Sequence, residues 1–250
     1  MSEFDSLLLY IFVYGISTIL FSLHRHKNIV IAKIGIALSI MIPTLLAGLR
    51  FEVGTDYSVY YYIFDNIRKC SYQWILTDSW HFNEERGFLV VSKFVSDILG
   101  PRNVFGFYGL LILLIFVYTL IKQYRNYNLS IFYFLFLLGQ YTASLNTLRQ
   151  SLALVMLFWG FQYVFEGKIV KYGTTILFAA MFHTTAVVAI PIYFLWNHKR
   201  KEDLKLWKKT AIYFLAIILV ALWNPLLTLL NTNLSGFYIL KYTTYLVGNE

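Results

Sequence analysis

Charge is what this chain has least of: only 14% of its 250 residues are Asp, Glu, Lys or Arg, against 58% hydrophobic and 19% aromatic. An ordinary soluble domain carries far more polar surface than that. Cysteine occurs once, as Cys70, so no intrachain disulfide contributes. There is no Cys or His cluster, and no second histidine stands at ligand spacing from His183, so neither a metal site nor a cofactor is expected. The chain has no Walker loop, no Gly-rich dinucleotide fingerprint and no Gly-x-Ser-x-Gly elbow, which argues against soluble nucleotide chemistry. It also has no internal repeat and no low-complexity linker. The first apolar run follows Glu3 and Asp5 rather than a basic segment, so no cleavable signal peptide is expected.

What the chain does have is long apolar blocks, uncharged except for Lys33 in the second. They run from Leu7 to Leu23, Ile29 to Leu49, Val104 to Ile121, Leu129 to Leu148, Ser151 to Phe165, Tyr172 to Asn197 and Thr210 to about Asn231. A helix needs roughly 17 to 25 apolar residues to cross the hydrocarbon core. The expected fold is therefore all-α: a polytopic integral membrane protein, 1–250 forming a single membrane domain of about seven to eight transmembrane or re-entrant helices. One long polar loop, about residues 50–103, is expected to carry amphipathic helices.

The net charge of +8 does not point to nucleic acid, because the basic residues gather in short loops. Thirteen of the 21, among them Arg25, Lys27, Lys122, Arg125, Lys168, Lys171 and the run from Lys199 to Lys209, share those loops with only Glu166, Glu202 and Asp203. The positive-inside rule makes this face cytoplasmic, leaving the N-terminus and the long loop outside. One conflict follows, since Lys168 and Lys199 both belong inside yet a single apolar block separates them. A helical hairpin over about 168–198, turning near Phe182 to Thr185, resolves it and places His183 at the apex. Arms that short are tolerated only when buried in protein or lining a wet cavity.

Candidate site residues collect on the outer side. The stretch from Gly48 to Tyr57 puts Arg50, Glu52 and Asp56 directly after a membrane-length run, where charge is costly and usually functional. Glu52 reads as a solvated group or a salt-bridge partner of Arg50. Asp56 reads equally as a helix N-cap or as a group in the chemistry. Tyr57, Tyr60, Tyr61 and Phe64 share one helical face, either as an aromatic belt at the headgroups or as a platform for sugar rings. The cluster Asn83-Glu84-Glu85-Arg86 reads from spacing alone as a solvated turn. Arg149 falls in the first turn of a helix, where a cation is disfavoured unless it serves an anion; a snorkelling interfacial arginine is the plainer alternative. His183 suits acid-base work near neutral pH or a packed interhelical position.

Taken in order, Gly48-Leu49-Arg50, Gly54-Thr55-Asp56-Tyr57, Glu85-x-Gly87-Phe88, Leu148-Arg149-Gln150-x-x-Ala153 and Phe182-His183-Thr184-Thr185-Ala186 resemble the EpsG/Wzy group of bacterial polysaccharide polymerases. The resemblance spans about Leu45 to Leu195, and Tyr242 lies in a segment similar to a further outer segment of that group. It implies an inner-membrane glycosyltransferase that joins undecaprenyl-diphosphate-linked repeat units into O-antigen, capsule or exopolysaccharide. Arg149 would bind the departing diphosphate, with Arg50 assisting. Asp56, or else Glu85, would act as base, and His183 would orient or exchange a proton. Tyr57, Tyr60, Tyr61, Gln150 and Tyr242 would contact substrate. Expected partners are the lipid-linked oligosaccharide, the bilayer, chain-length regulator and flippase proteins, and no nucleic acid. Members of the group usually continue with further helices, so this chain is expected to be a truncated product, a fragment or a short homologue. A flippase of lipid-linked sugars, a membrane O-acyltransferase and a polysaccharide ligase are the rival readings.

Overall fold

The computed structural model describes residues 3–77 and 84–201, which are all helical with no strand among them. The Thr210 to Asn231 block and Tyr242 lie outside the described residues. In chain order the helices are α1 (Glu3–Ser22), α2 (Ile29–Leu49), α3 (Tyr57–Lys69), α4 (Tyr72–Thr77), α5 (Arg86–Leu99) and α6 (Asn103–Gln123). There follow α7 (Leu129–Phe136), α8 (Thr142–Ser144), α9 (Leu148–Phe165), α10 (Ile169–Ala180) and α11 (Ile190–Lys201). A π-turn over Leu137–Tyr141 joins α7 to α8, and a 3-10 turn over Thr184–Ala189 precedes α11.

By length and composition, three helices among the described residues are able to cross a membrane: Asp5–Arg25, Ile29–Leu49 and Asn103–Gln123. Leu129–Ser144, Ile169–Ala180 and Thr184–Trp196 are shorter apolar helices. The chain is a polytopic membrane protein. α6 is its hub, with 56% of its apolar span buried against 17% for α1. Phe12, Ile19, Ile29 and Leu45 on α1 and α2 turn exposed apolar side chains outward, as a lipid-facing surface requires.

Two devices fix α2 in this bundle. Pro43 inside α2 lacks the N–H that the Ser39 carbonyl would accept, and the Tyr133 hydroxyl of α7 donates to that carbonyl instead, at 2.6 Å. The Tyr141 hydroxyl donates to the Pro43 carbonyl at 3.0 Å. Where α2 meets α6, Gly48 and Gly106 touch backbone to backbone: a Cβ on Gly48 would lie 3.3 Å from the Gly106 Cα. Small residues at a helix crossing allow this approach, and dispersion contacts then hold the pair together.

The long loop folds over one end of the bundle. α3 and α5 lie together, with the Ser96 hydroxyl donating to the Phe64 carbonyl at 3.0 Å and Lys93 Nζ donating to the Arg68 carbonyl at 3.0 Å. α5 is joined to α6 through Tyr108, whose hydroxyl donates to the Phe88 carbonyl at 3.2 Å and lies 2.9 Å from the Ser92 hydroxyl. The aromatic face of α3 therefore points into protein. Tyr57, Tyr60 and Phe64 are buried, with Tyr57 stacked on Phe105 at 4.7 Å, while Tyr61 is exposed.

After α10 the chain turns back on itself at Met181 to His183. The Tyr172 hydroxyl donates to the Ala189 carbonyl at 2.9 Å, the Tyr193 hydroxyl donates to the Gly167 carbonyl at 2.6 Å, and Phe165 meets Trp196 at 4.9 Å. These pairings are antiparallel. Residues Gly167 and Tyr193 thus sit at the far end of the hairpin from His183. That far end is the basic one: Arg25 donates to the Arg125 and Tyr127 carbonyls at 2.7 and 2.9 Å, and Lys168 pairs with Glu166 at 2.7 Å.

Candidate functional site

At the end opposite the basic loops, three segments distant in sequence meet at one carboxylate. Thr147 occupies the N-cap of α9, so Arg149 is the second residue of the helix, in the turn whose free N–H groups already carry positive partial charge. The conflict is resolved by two acids, because Arg149 Nη1 pairs with both Glu84 Oε2 and Glu85 Oε2. Its guanidinium also lies over the Phe88 ring, 5.6 Å from the centre, and its charge acts on the Tyr60 phenol.

The second oxygen of Glu85 faces the hairpin apex. Glu85 Oε1 accepts from the Thr184 backbone N–H at 3.0 Å and from the Thr184 hydroxyl at 3.3 Å, and His183 Nδ1 lies 3.4 Å away. The His183 contact is within charge-pairing distance but not aligned as a hydrogen bond. Burial alone would raise the Glu85 pKa. The adjacent His183 ring, the Arg149 charge and the Thr184 N–H outweigh burial and hold it down at about 2. Glu85 is thus a fixed anion between α9 and the hairpin, and at that value it is a poor proton acceptor at neutral pH.

Gly87 explains how the two motifs come so close. A Cβ there would lie 2.5 Å from the Met181 carbonyl oxygen, and the Phe88 N–H donates to that same oxygen at 3.3 Å. Only a residue without a side chain lets the start of α5 rest on the end of α10. Glu85-x-Gly87-Phe88 and Phe182-His183-Thr184 are therefore two halves of one contact.

The Arg50 region forms a second centre. Arg50 ends α2 with 7% of its surface exposed, lying 4.7 Å from the Phe105 ring centre and 5.6 Å from that of Tyr57. Glu52 is exposed and makes no ion pair with it. Asp56 stands at the N-cap of α3, yet its carboxylate makes no capping bond; Oδ1 accepts from the Thr55 hydroxyl at 3.2 Å. The Asp56 charge, like those of Arg149 and Glu84, acts on the Tyr60 phenol. Gln150 is exposed beside Arg149.

The structure thus joins Arg149 and His183 through Glu85, with Tyr60 under the influence of the Arg149 charge, and leaves Tyr57 with Arg50 in the second centre. The sequence reading passed over Glu84 and Thr184 as partners, because each looks like an unremarkable loop residue until the hairpin and α5 are placed together. Asn146 was also missed; it touches Gly54, and only the break before α9 hinted at it. No group of three or more His, Cys, Asp or Glu able to hold a metal ion occurs among the described residues.

A helical bundle with membrane-length apolar helices and an ion-paired polar centre at one end, away from its basic loops, is a multi-pass membrane protein. The chain belongs to the EpsG family, whose model matches residues 33–250. Membership ties it to polysaccharide biosynthesis and to a lipid-linked substrate in a membrane setting. No curated protein and no solved structure matches the chain.

Proposed function

We propose that this protein is an oligosaccharide repeat-unit polymerase of the bacterial cytoplasmic membrane. It transfers a growing chain from undecaprenyl diphosphate onto the next lipid-linked unit at the outer face, building O-antigen, capsule or exopolysaccharide. The observation that carries this reading is the meeting of Arg149, Glu84, Glu85 and His183, drawn from three motifs of the family, at the end opposite the basic loops. By the positive-inside rule that end is periplasmic, where the lipid-linked units are joined.

The reaction forms a bond from an acceptor hydroxyl oxygen to the anomeric carbon of the donor and breaks the bond from that carbon to the diphosphate oxygen. The lipid diphosphate leaves with the bonding electron pair, and the hydroxyl proton passes to a base. Asp56 serves as that base, since it makes no ion pair among the described residues whereas Glu85 is committed to Arg149 and Thr184. His183 orients the acceptor or relays its proton. Arg149 faces the charge that develops on the leaving group. Tyr61 and Gln150, exposed nearby, contact the sugars.

Complementation of a polymerase-deficient strain tests the reading, with polymer length read as a gel ladder. The native chain is expected to restore the ladder and Arg149→Ala, at equal expression, to leave single repeats. A normal ladder from Arg149→Ala would remove Arg149 from the mechanism. In purified form, lengthening of lipid-linked units separates a polymerase from a carrier.

A further inference from the structure

Arg50 is a buried cation without an anion. It donates one hydrogen bond, Nη1 to the Val53 carbonyl at 3.3 Å, while its Nε and Nη2 have no partner. No carboxylate lies within ion-pair distance of it among the described residues, and ring faces return only part of the hydration lost on burial. Two further buried polar atoms in this region are also orphaned: the Tyr57 hydroxyl and Asn146 Oδ1. Gly54, at φ 102, lies between Asn146 and Arg50, since a Cβ there would lie 2.3 Å from Asn146 Oδ1 and 3.5 Å from Arg50 Nη1, and the Tyr57 ring centre lies 5.6 Å from the Arg50 guanidinium. The turn between α2 and α3 and the break before α9 thus deliver a guanidinium, a phenol and a carboxamide to one place. Folded proteins leave few buried polar atoms unsatisfied, and a ligand that completes all three accounts for this group.

We propose that Arg50, Tyr57 and Asn146 form a phosphate-binding subsite distinct from the Arg149 centre. Nε and Nη2 lie on one edge of the guanidinium and suit two oxygens of a phosphate group, with the Tyr57 O–H donating to a third. Asn146 Oδ1 accepts from a neighbouring hydroxyl, which makes a sugar phosphate the ligand class. That the anion belongs to a lipid-linked sugar diphosphate rests on the polymerase reading; a free phosphate compound offers the same chemistry.

The test uses the full chain in lipid nanodiscs, titrated with inorganic pyrophosphate and separately with a polyprenyl diphosphate, and read by tryptophan fluorescence. Arg50→Gln is expected to weaken binding about 10- to 100-fold, the loss of a charge-assisted pair, and Tyr57→Phe about five-fold. Lys69→Gln, which removes an exposed cation paired with Asp65 at the far end of α3, is expected to change it less than about two-fold, as a screened surface charge does. The ligand-free melting temperature of Arg50→Gln should equal or exceed that of the native chain, because an unpaired buried charge has been removed. Binding of both probes with this dependence supports a site for the headgroup alone, and binding of only the polyprenyl probe supports a lipid source. Equal affinity in Arg50→Gln, or binding of neither probe by the native chain, overturns the subsite. A polymer ladder without Arg50-dependent binding leaves the polymerase standing and removes the subsite; Arg50-dependent binding without chain growth does the reverse.

Discussion

Arg149 and Arg50 stand at the same end of the bundle in opposite company: carboxylates surround the first and aromatic rings the second. Arg149 braces the fold, because its two acids link α9 to the start of α5 and, through Glu85 and Thr184, to the hairpin apex. Arg50 braces little, since its single hydrogen bond is to a carbonyl three residues away. The difference teaches that motif membership does not fix a residue's role. One arginine has its charge matched within the protein, and the other is left for something outside it.

The largest expected effect that would break this contrast concerns Arg149. Arg149→Ala leaves two half-buried carboxylates facing each other and should cost about 3–5 kcal/mol, as breaking a buried pair does. Thermal unfolding in detergent measures it, and adding Glu84→Gln should recover part of the loss. If Arg149→Ala is no less stable than the native chain, the bracing role fails. Next comes Gly87→Ala, whose added methyl collides with the Met181 carbonyl. A cost of about 1–3 kcal/mol is expected, as for overpacking, together with loss of polymer as Glu85 and His183 separate.

A smaller effect follows from pH. The folded pKa of Glu85, about 2, lies below its ordinary value of 4.5, so its contribution is complete above about 4.5 and is lost as pH falls toward 2. Melting temperature should therefore drop through that window in the native chain and drop less in Glu85→Gln. No Glu85-dependent change is expected between pH 6 and 8, on the same linkage grounds. Smallest of all, Tyr57→Phe removes an unpartnered hydroxyl and should shift ligand-free stability by less than about 1 kcal/mol, because no hydrogen bond is lost with it. A larger drop would mean that the Tyr57 hydroxyl is already satisfied and that the Arg50 side of the contrast is wrong.

Much of the bundle was legible in the sequence for simple reasons. The spans Ile29–Leu49 and Asn103–Gln123 announce themselves as apolar runs of membrane length, each carrying a single lysine near one end, and the basic loops label one end. Charge led to the expectation of a turn near His183, since Lys168 and Lys199 both belong to basic loops, and the described chain turns at Met181 to His183. The contacts of the site were not legible. Glu85 meets Arg149 across 64 residues and Thr184 across 99, and no local pattern encodes such a pairing. The periodicity of Tyr57, Tyr60, Tyr61 and Phe64 identified a shared face for three of the four, Tyr61 being exposed, but could not say whether lipid or protein covers it. Phe105 and Phe88 decide that, and both belong to other helices.

The proline in α2 bears on how the protein is made. Ser39 waits for the Tyr133 hydroxyl across 94 residues of chain, so α2 enters the bilayer before the helix that completes it has been synthesised. Until α7 arrives, one carbonyl in the hydrocarbon has no donor, a state that costs several kcal/mol. The last hydrogen bond of α2 is thus supplied by a helix made later in the chain, so α2 is complete only once α7 has packed against it.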